Sequence, residues 1–128
     1  MTEVVHVVPL DTPGGAHDAR SAYVEYYWLP VLGPSATWLL RRVAGCLDDH
    51  PGGFDLDLAE TAAALGISTA SRTTVRRALD RLVDFGMAER VGERTLAVRR
   101  LVPPLPPQRV RRLPERLARE LLAEGGSH

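Results

Sequence analysis

The run LAETAAALGISTASRTTVRRALDRLVDFGMAERVGERTLAV, Leu58 to Val98, decides the fold. It reads as helix, turn, helix, then a two-stranded hairpin. The first helix, Leu58 to Leu65, opens behind Asp57, whose carboxylate can accept from the free amides of a helix start, and it stops at Gly66. The second takes Ser71 as its N-cap, runs from Arg72 to Phe85 and ends at Gly86. Val75, Ala78, Leu79 and Leu82 recur at helical spacing and predict its buried face. The opposite face carries Arg72, Thr73, Arg76 and Arg77, long donors and short hydroxyls suited to phosphates and to base edges in a major groove. In the hairpin, Leu96 and Val98 alternate with Thr95, Ala97 and Arg99. One face can therefore cover the helices while Arg90, Arg94 and Arg99 reach solvent, with Gly92-Glu93 as the tight turn.

Taken together, Gly66-Ile67-Ser68, Arg72-Thr73-Thr74-Val75-Arg76-Arg77-Ala78-Leu79, Leu82 and Phe85-Gly86-Met87-Ala88 resemble a winged helix-turn-helix of the GntR type. That family's run reads glycine, aliphatic, Ser, Arg, x, Thr, Val, Arg, x, Ala, Leu, and a glycine-bearing wing follows, which Val91 to Val98 fits. Thr69-Ala70-Ser71 departs from the pattern and lengthens the turn between the helices. The resemblance implies an α+β fold, mainly α with a small β-hairpin: a winged helix-turn-helix with a C-terminal helical tail. It also implies double-stranded DNA as the partner. The DNA-binding candidates are Ser68, Thr69, Arg72, Thr73, Arg76 and Arg77 on the turn and second helix, with Arg90 and Arg94 on the wing. A second stretch, Tyr27 to Ala36, resembles the opening of the winged-helix domains in bacterial primosomal replication-initiation proteins of the DnaD/DnaB type. The whole of Trp28 to Leu113 is similar to a set of short, uncharacterised actinobacterial winged-helix proteins.

A chain of 128 residues is one domain by length. Its single cysteine, Cys46, excludes an internal disulfide and reads as a small buried filler. Met1 to Leu10 lacks the basic start and long apolar run of a signal peptide, so a cytoplasmic location is expected. No window approaches the roughly 18 apolar residues that span a bilayer, which argues against a membrane partner. Net charge is zero, yet residues 1–64 carry three arginines against nine acids and residues 65–128 carry thirteen against seven. Positive charge thus concentrates where the second helix, hairpin and tail lie, as an electrostatic footprint for nucleic acid requires. No nucleophile elbow, phosphate loop or zinc-protease helix motif occurs, and the four histidines are dispersed, so no enzyme, no cofactor and no metal are expected. The acids Asp48, Asp49, Asp55 and Asp57 around Pro51-Gly52-Gly53 do not match a calcium loop and read as a solvated connector.

Outside the central run, residues 1–17 are expected as a flexible arm, although Val4, Val5, Val7 and Val8 could also make a short edge strand before Pro9. Asp18 can cap a segment from Ala19 to Trp28 that holds most of the aromatics, and Pro30 and Pro34 bracket a turn at Leu32-Gly33. Ser35 is expected to cap a helix reaching Leu47, with Ala36, Leu39, Leu40, Val43 and Leu47 inward and Trp38 covering the aromatic segment. The winged domain is thereby placed at residues 18–100. Residues 101–109 are expected as a Pro-rich extended linker and residues 110–124 as an amphipathic helix. That helix either folds back or pairs with a second copy, and the aromatic N-terminal segment is the other candidate dimer surface. Two functions follow: a DNA-binding transcriptional regulator, or a winged helix used as a protein-interaction module without DNA binding, for example a replication or regulatory adaptor. Overall neutrality, the lengthened turn, and Asp80 and Asp84 beside the arginines favour the second. A continuous positive face across helix and wing would favour the first.

Overall fold

Val4, Val5, Val7 and Val8 lie on a true strand, β1 (Val4–Pro9). In the computed structural model, which describes residues 3–67 and 72–125, a short strand β2 (His17–Asp18) comes next. A π-helical turn (Val24–Trp28) then runs straight into α1 (Leu29–Leu32). After it come α2 (Pro34–Asp49), β3 (Phe54–Asp57), α3 (Leu58–Ala64) and α4 (Arg72–Asp84). The chain continues through β4 (Ala88–Gly92), β5 (Thr95–Val98) and β6 (Leu101–Val102) to two last helices, α5 (Pro107–Val110) and α6 (Glu115–Gly125).

The main sheet has four strands in the order β3-β1-β5-β4. β1 runs antiparallel to β3, with Val7 opposite Phe54, and parallel to β5, with Val7 opposite Leu96. The expected flexible arm is therefore corrected: residues 4–9 form an inner strand of the sheet. The cause is backbone satisfaction on both flanks together with a valine face that has somewhere to go, since Val7 is 0% exposed. The sheet also exceeds the expected hairpin, because Phe54-Asp55-Leu56-Asp57, read as part of an acidic connector, forms its far edge. With 51% helix and 20% strand among the described residues, the protein is mixed α/β, compatible with the α+β class.

The helices follow their local signals. Asp57 accepts from the Glu60 amide at 3.0 Å to open α3, and Gly66 takes φ +75° just after it. Val75, Ala78, Leu79 and Leu82 on α4 and Ala36, Leu39, Leu40, Val43 and Leu47 on α2 are all buried. These two stripes meet across the core, each fully buried Leu or Val contributing about 1.5–3 kcal/mol. Helix α2 begins at Pro34 behind Gly33, so Ser35 sits inside its first turn and is not the cap. Pro30 lies within α1, where it can give no N–H to the preceding turn. The wider π-helical turn before it accommodates that loss. The expected cap of the second helix, Ser71, lies outside the described residues.

The tail is part of the same body. Trp28, 2% exposed, donates its Nε1–H to the carbonyl of Pro103 at 2.9 Å, and the Leu105 amide donates to the Tyr23 hydroxyl at 2.9 Å. Val102, Leu105 and Leu113 are buried. Residues 101–109 are thus no spacer: β6 pairs with β2, and apolar residues between the prolines fill the core. Among the tail residues, Val110, Leu117 and Leu121 pack partly buried on the core of their own chain. Trp38, expected to cover the aromatic segment, is instead 52% exposed under the Arg41 guanidinium. Among the described residues no helix is long and apolar enough to cross a membrane.

Candidate nucleic-acid interface

Burial of one side of α4 fixes what the other side presents: Thr73, Arg76, Arg77 and Asp80 are exposed. Arg72 opens the helix. Of the other expected site residues, Ser68 and Thr69 lie outside the described residues. Arg90 leaves β4, and Arg94 occupies the turn before β5. That turn is held down by a hydrogen bond from the His6 amide to the Arg94 carbonyl at 2.8 Å. The turn is Glu93-Arg94, not Gly92-Glu93. Gly92 ends β4 at an irregularity in the register, where an added Cβ would stand 3.3 Å from that of Thr95.

Arg76, Arg90 and Arg94 come together around one cleft of about 330 Å³ between α4, the start of β1 and the hairpin. Three carboxylates line it too: Glu3, Asp80 and Glu93. The Arg76 guanidinium pairs with Glu3, and Arg90 pairs with Asp80 across the gap between helix and hairpin. These pairs are solvent-facing and contribute only about 0–1 kcal/mol each, so an incoming anion can displace them. Arg94 makes no ion pair among the described residues and is exposed. Arg77 points to the other flank of α4, into a groove with Thr74, Gly33, Pro34 and Ser35, also without an ion pair among the described residues. The site is therefore two flanks of one helix, one charge-balanced and one carrying an arginine with no ion pair among the described residues.

Not every arginine near the face belongs to it. Arg81 turns inward, donating Nε–H to the Leu32 carbonyl at 2.6 Å and Nη2–H to that of Val31 at 2.8 Å while lying over Phe85. Arg99, expected in solvent, donates to the carbonyls of Gly86 at 3.0 Å and Pro13 at 3.4 Å and ties two loops together.

Glu3 is the site residue that the sequence reading missed. Its backbone carbonyl accepts from the Leu58 amide at 3.0 Å, extending the β1–β3 ladder by one residue. Alternation then places Glu3 on the same face as Val5 and Val7, the face that covers the helices, and so under α4. The parity of Glu3, Val5 and Val7 was the available signal, but it means something only once β1 is known to be paired. Asp80 was visible as a neighbour of Arg76, Arg77 and Arg81, yet it reaches Arg90.

Elsewhere, His6 Nδ1 and Asp55 are 2.8 Å apart on the opposite face of the sheet, and Cys46 is half-buried. No cluster of three or more His, Cys, Asp or Glu side chains suited to a metal occurs among the described residues. The chain matches no known family, no curated protein and no solved structure.

Proposed function

We propose that this chain is a winged helix-turn-helix protein that binds duplex DNA and regulates transcription. In this reading α3 supports α4 as the recognition helix, and β4 and β5 form the wing. The observation that carries it is the arrangement around α4. One side of the helix is committed to the core, while Thr73, Arg76 and Arg77 are exposed, with Arg76 next to Arg90 and Arg94 of the hairpin and Arg77 on the other flank. The exposed side enters a major groove, and the wing arginines rest on flanking phosphates. Ser68, Thr69 and Arg72 belong to the proposed contact set on the strength of the sequence resemblance alone. A second reading, a winged helix docking on a protein partner without DNA, is favoured by one specific observation: the three carboxylates that balance the arginines of the cleft.

Fluorescence anisotropy on a duplex selected from a random pool, and on its scrambled counterpart, separates the two readings. Arg77→Ala should lose about 1–3 kcal/mol on the selected duplex if it reads a base edge. Arg94→Ala should weaken both duplexes alike and reduce the slope of log affinity against log salt by about one unit. A wild type that binds neither duplex more tightly than about 10⁻⁴ M at low salt leaves the protein-docking reading in place.

A further inference from the structure

We infer that Glu3 is a built-in counterion of α4, holding Arg76 where a DNA phosphate would sit, so that β1 sets how strongly the protein engages DNA. The inference rests on the DNA-binding reading above and adds to it a residue that opposes binding. Glu3 is not a swinging surface partner. Its carbonyl is fixed by the Leu58 amide, and β1 is held on both sides by β3 and β5. Its side chain is 30% exposed against 58% for Arg76, so Glu3 is the more enclosed partner of the pair. A duplex approaching α4 must take Arg76 from an anion that cannot leave with the solvent. Once displaced, that anion stays in the cleft and repels the phosphate that replaced it. A salt ion released from a surface arginine would diffuse away, whereas Glu3 remains. The net charge that α4 offers DNA is thereby lowered without any change to α4 itself.

Glu3→Gln tests this, because the amide keeps the shape and can still accept from Arg76. The probe is a mixed-sequence 20-base-pair duplex in an anisotropy salt series, with Asp55→Asn as the same charge change on the opposite face of the sheet. Arg76→Ala, the double variant Glu3→Gln/Arg76→Ala and Arg94→Ala complete the set, and circular dichroism confirms that each is folded. Glu3→Gln should bind roughly two- to fivefold more tightly at low salt, the span of one surface ion pair. Its salt slope should steepen by up to about one unit. Asp55→Asn should match the wild type, and the gain from Glu3→Gln should vanish when Arg76 is alanine. An unchanged affinity and slope in Glu3→Gln, with Arg94→Ala still weakening binding, would overturn the counterion and leave DNA binding standing. So would an equal gain in the Arg76→Ala background. No binding by any variant, Glu3→Gln included, removes both.

Discussion

Arg77 and Arg81 stand one turn apart on α4, and their surroundings assign them opposite work. Arg81 closes the carbonyl end of α1 through Leu32 and Val31, groups that would otherwise lack a partner at a helix end. Hydrogen bonds from a charged donor are worth about 1.5–3 kcal/mol, so Arg81→Ala should lose about that much stability in urea denaturation. Arg77→Ala should stay within roughly 0.5 kcal/mol of wild type in the same titration, because its side chain is exposed and makes no ion pair among the described residues. Equal losses would show that both arginines hold the fold and that α4 presents less of itself to a partner. Sequence spacing puts Arg77 on the exposed face but gives Arg81 no structural role. The distinction comes from the helix-breaking geometry at Gly33, which leaves the α1 carbonyls pointing at α4.

At the level of elements, β1 is where expectation and structure part furthest. Val7 is fully buried between Phe54 and Leu96, so Val7→Asp would place an unpaired carboxylate in the core. A loss of more than about 3 kcal/mol is expected, read as a large fall in melting temperature. A loose arm would tolerate the change, and an unchanged melt would restore that view. The helices were legible because their signals are local: the Asp57 cap, the left-handed Gly66 and Gly86, and the 3.6-residue stripe of Val75, Ala78, Leu79 and Leu82. Strand β3 was not legible. Phe54-Asp55-Leu56-Asp57 has two apolar residues in an acidic loop, and it becomes a strand only because β1 lies beside it. In the candidate site the same rule holds: the arginines of α4 and the hairpin could be picked out by type and spacing, whereas Glu3 is brought to Arg76 by strand pairing alone.

Across the whole molecule, the acidic first half and the basic second half are stitched to each other. Asp48 on α2 takes Arg100 as Glu3 takes Arg76, while also pairing with Arg20 of its own half. The tail completes this body from the other side. A chain ending at Arg100 would lose Val102, Leu105 and Leu113 and would uncover Trp28, so it should show no cooperative thermal transition. Leu105→Ala is the milder form, expected to cost about 2–5 kcal/mol while leaving a folded protein. A truncated chain that melts like the full one would mean that the Trp28 contact with Pro103 adds nothing. The inner position of β1 also governs the order of events in folding. It leaves the ribosome before either neighbour, and its ladders join segments about 50 and 90 positions apart, His6 with Asp55 and Val7 with Leu96. Such distant pairing delays sheet closure until β5 has been made. The amide protons of His6 and Val7 should then exchange with solvent only in molecules that have opened completely, making β1 a clock for global unfolding.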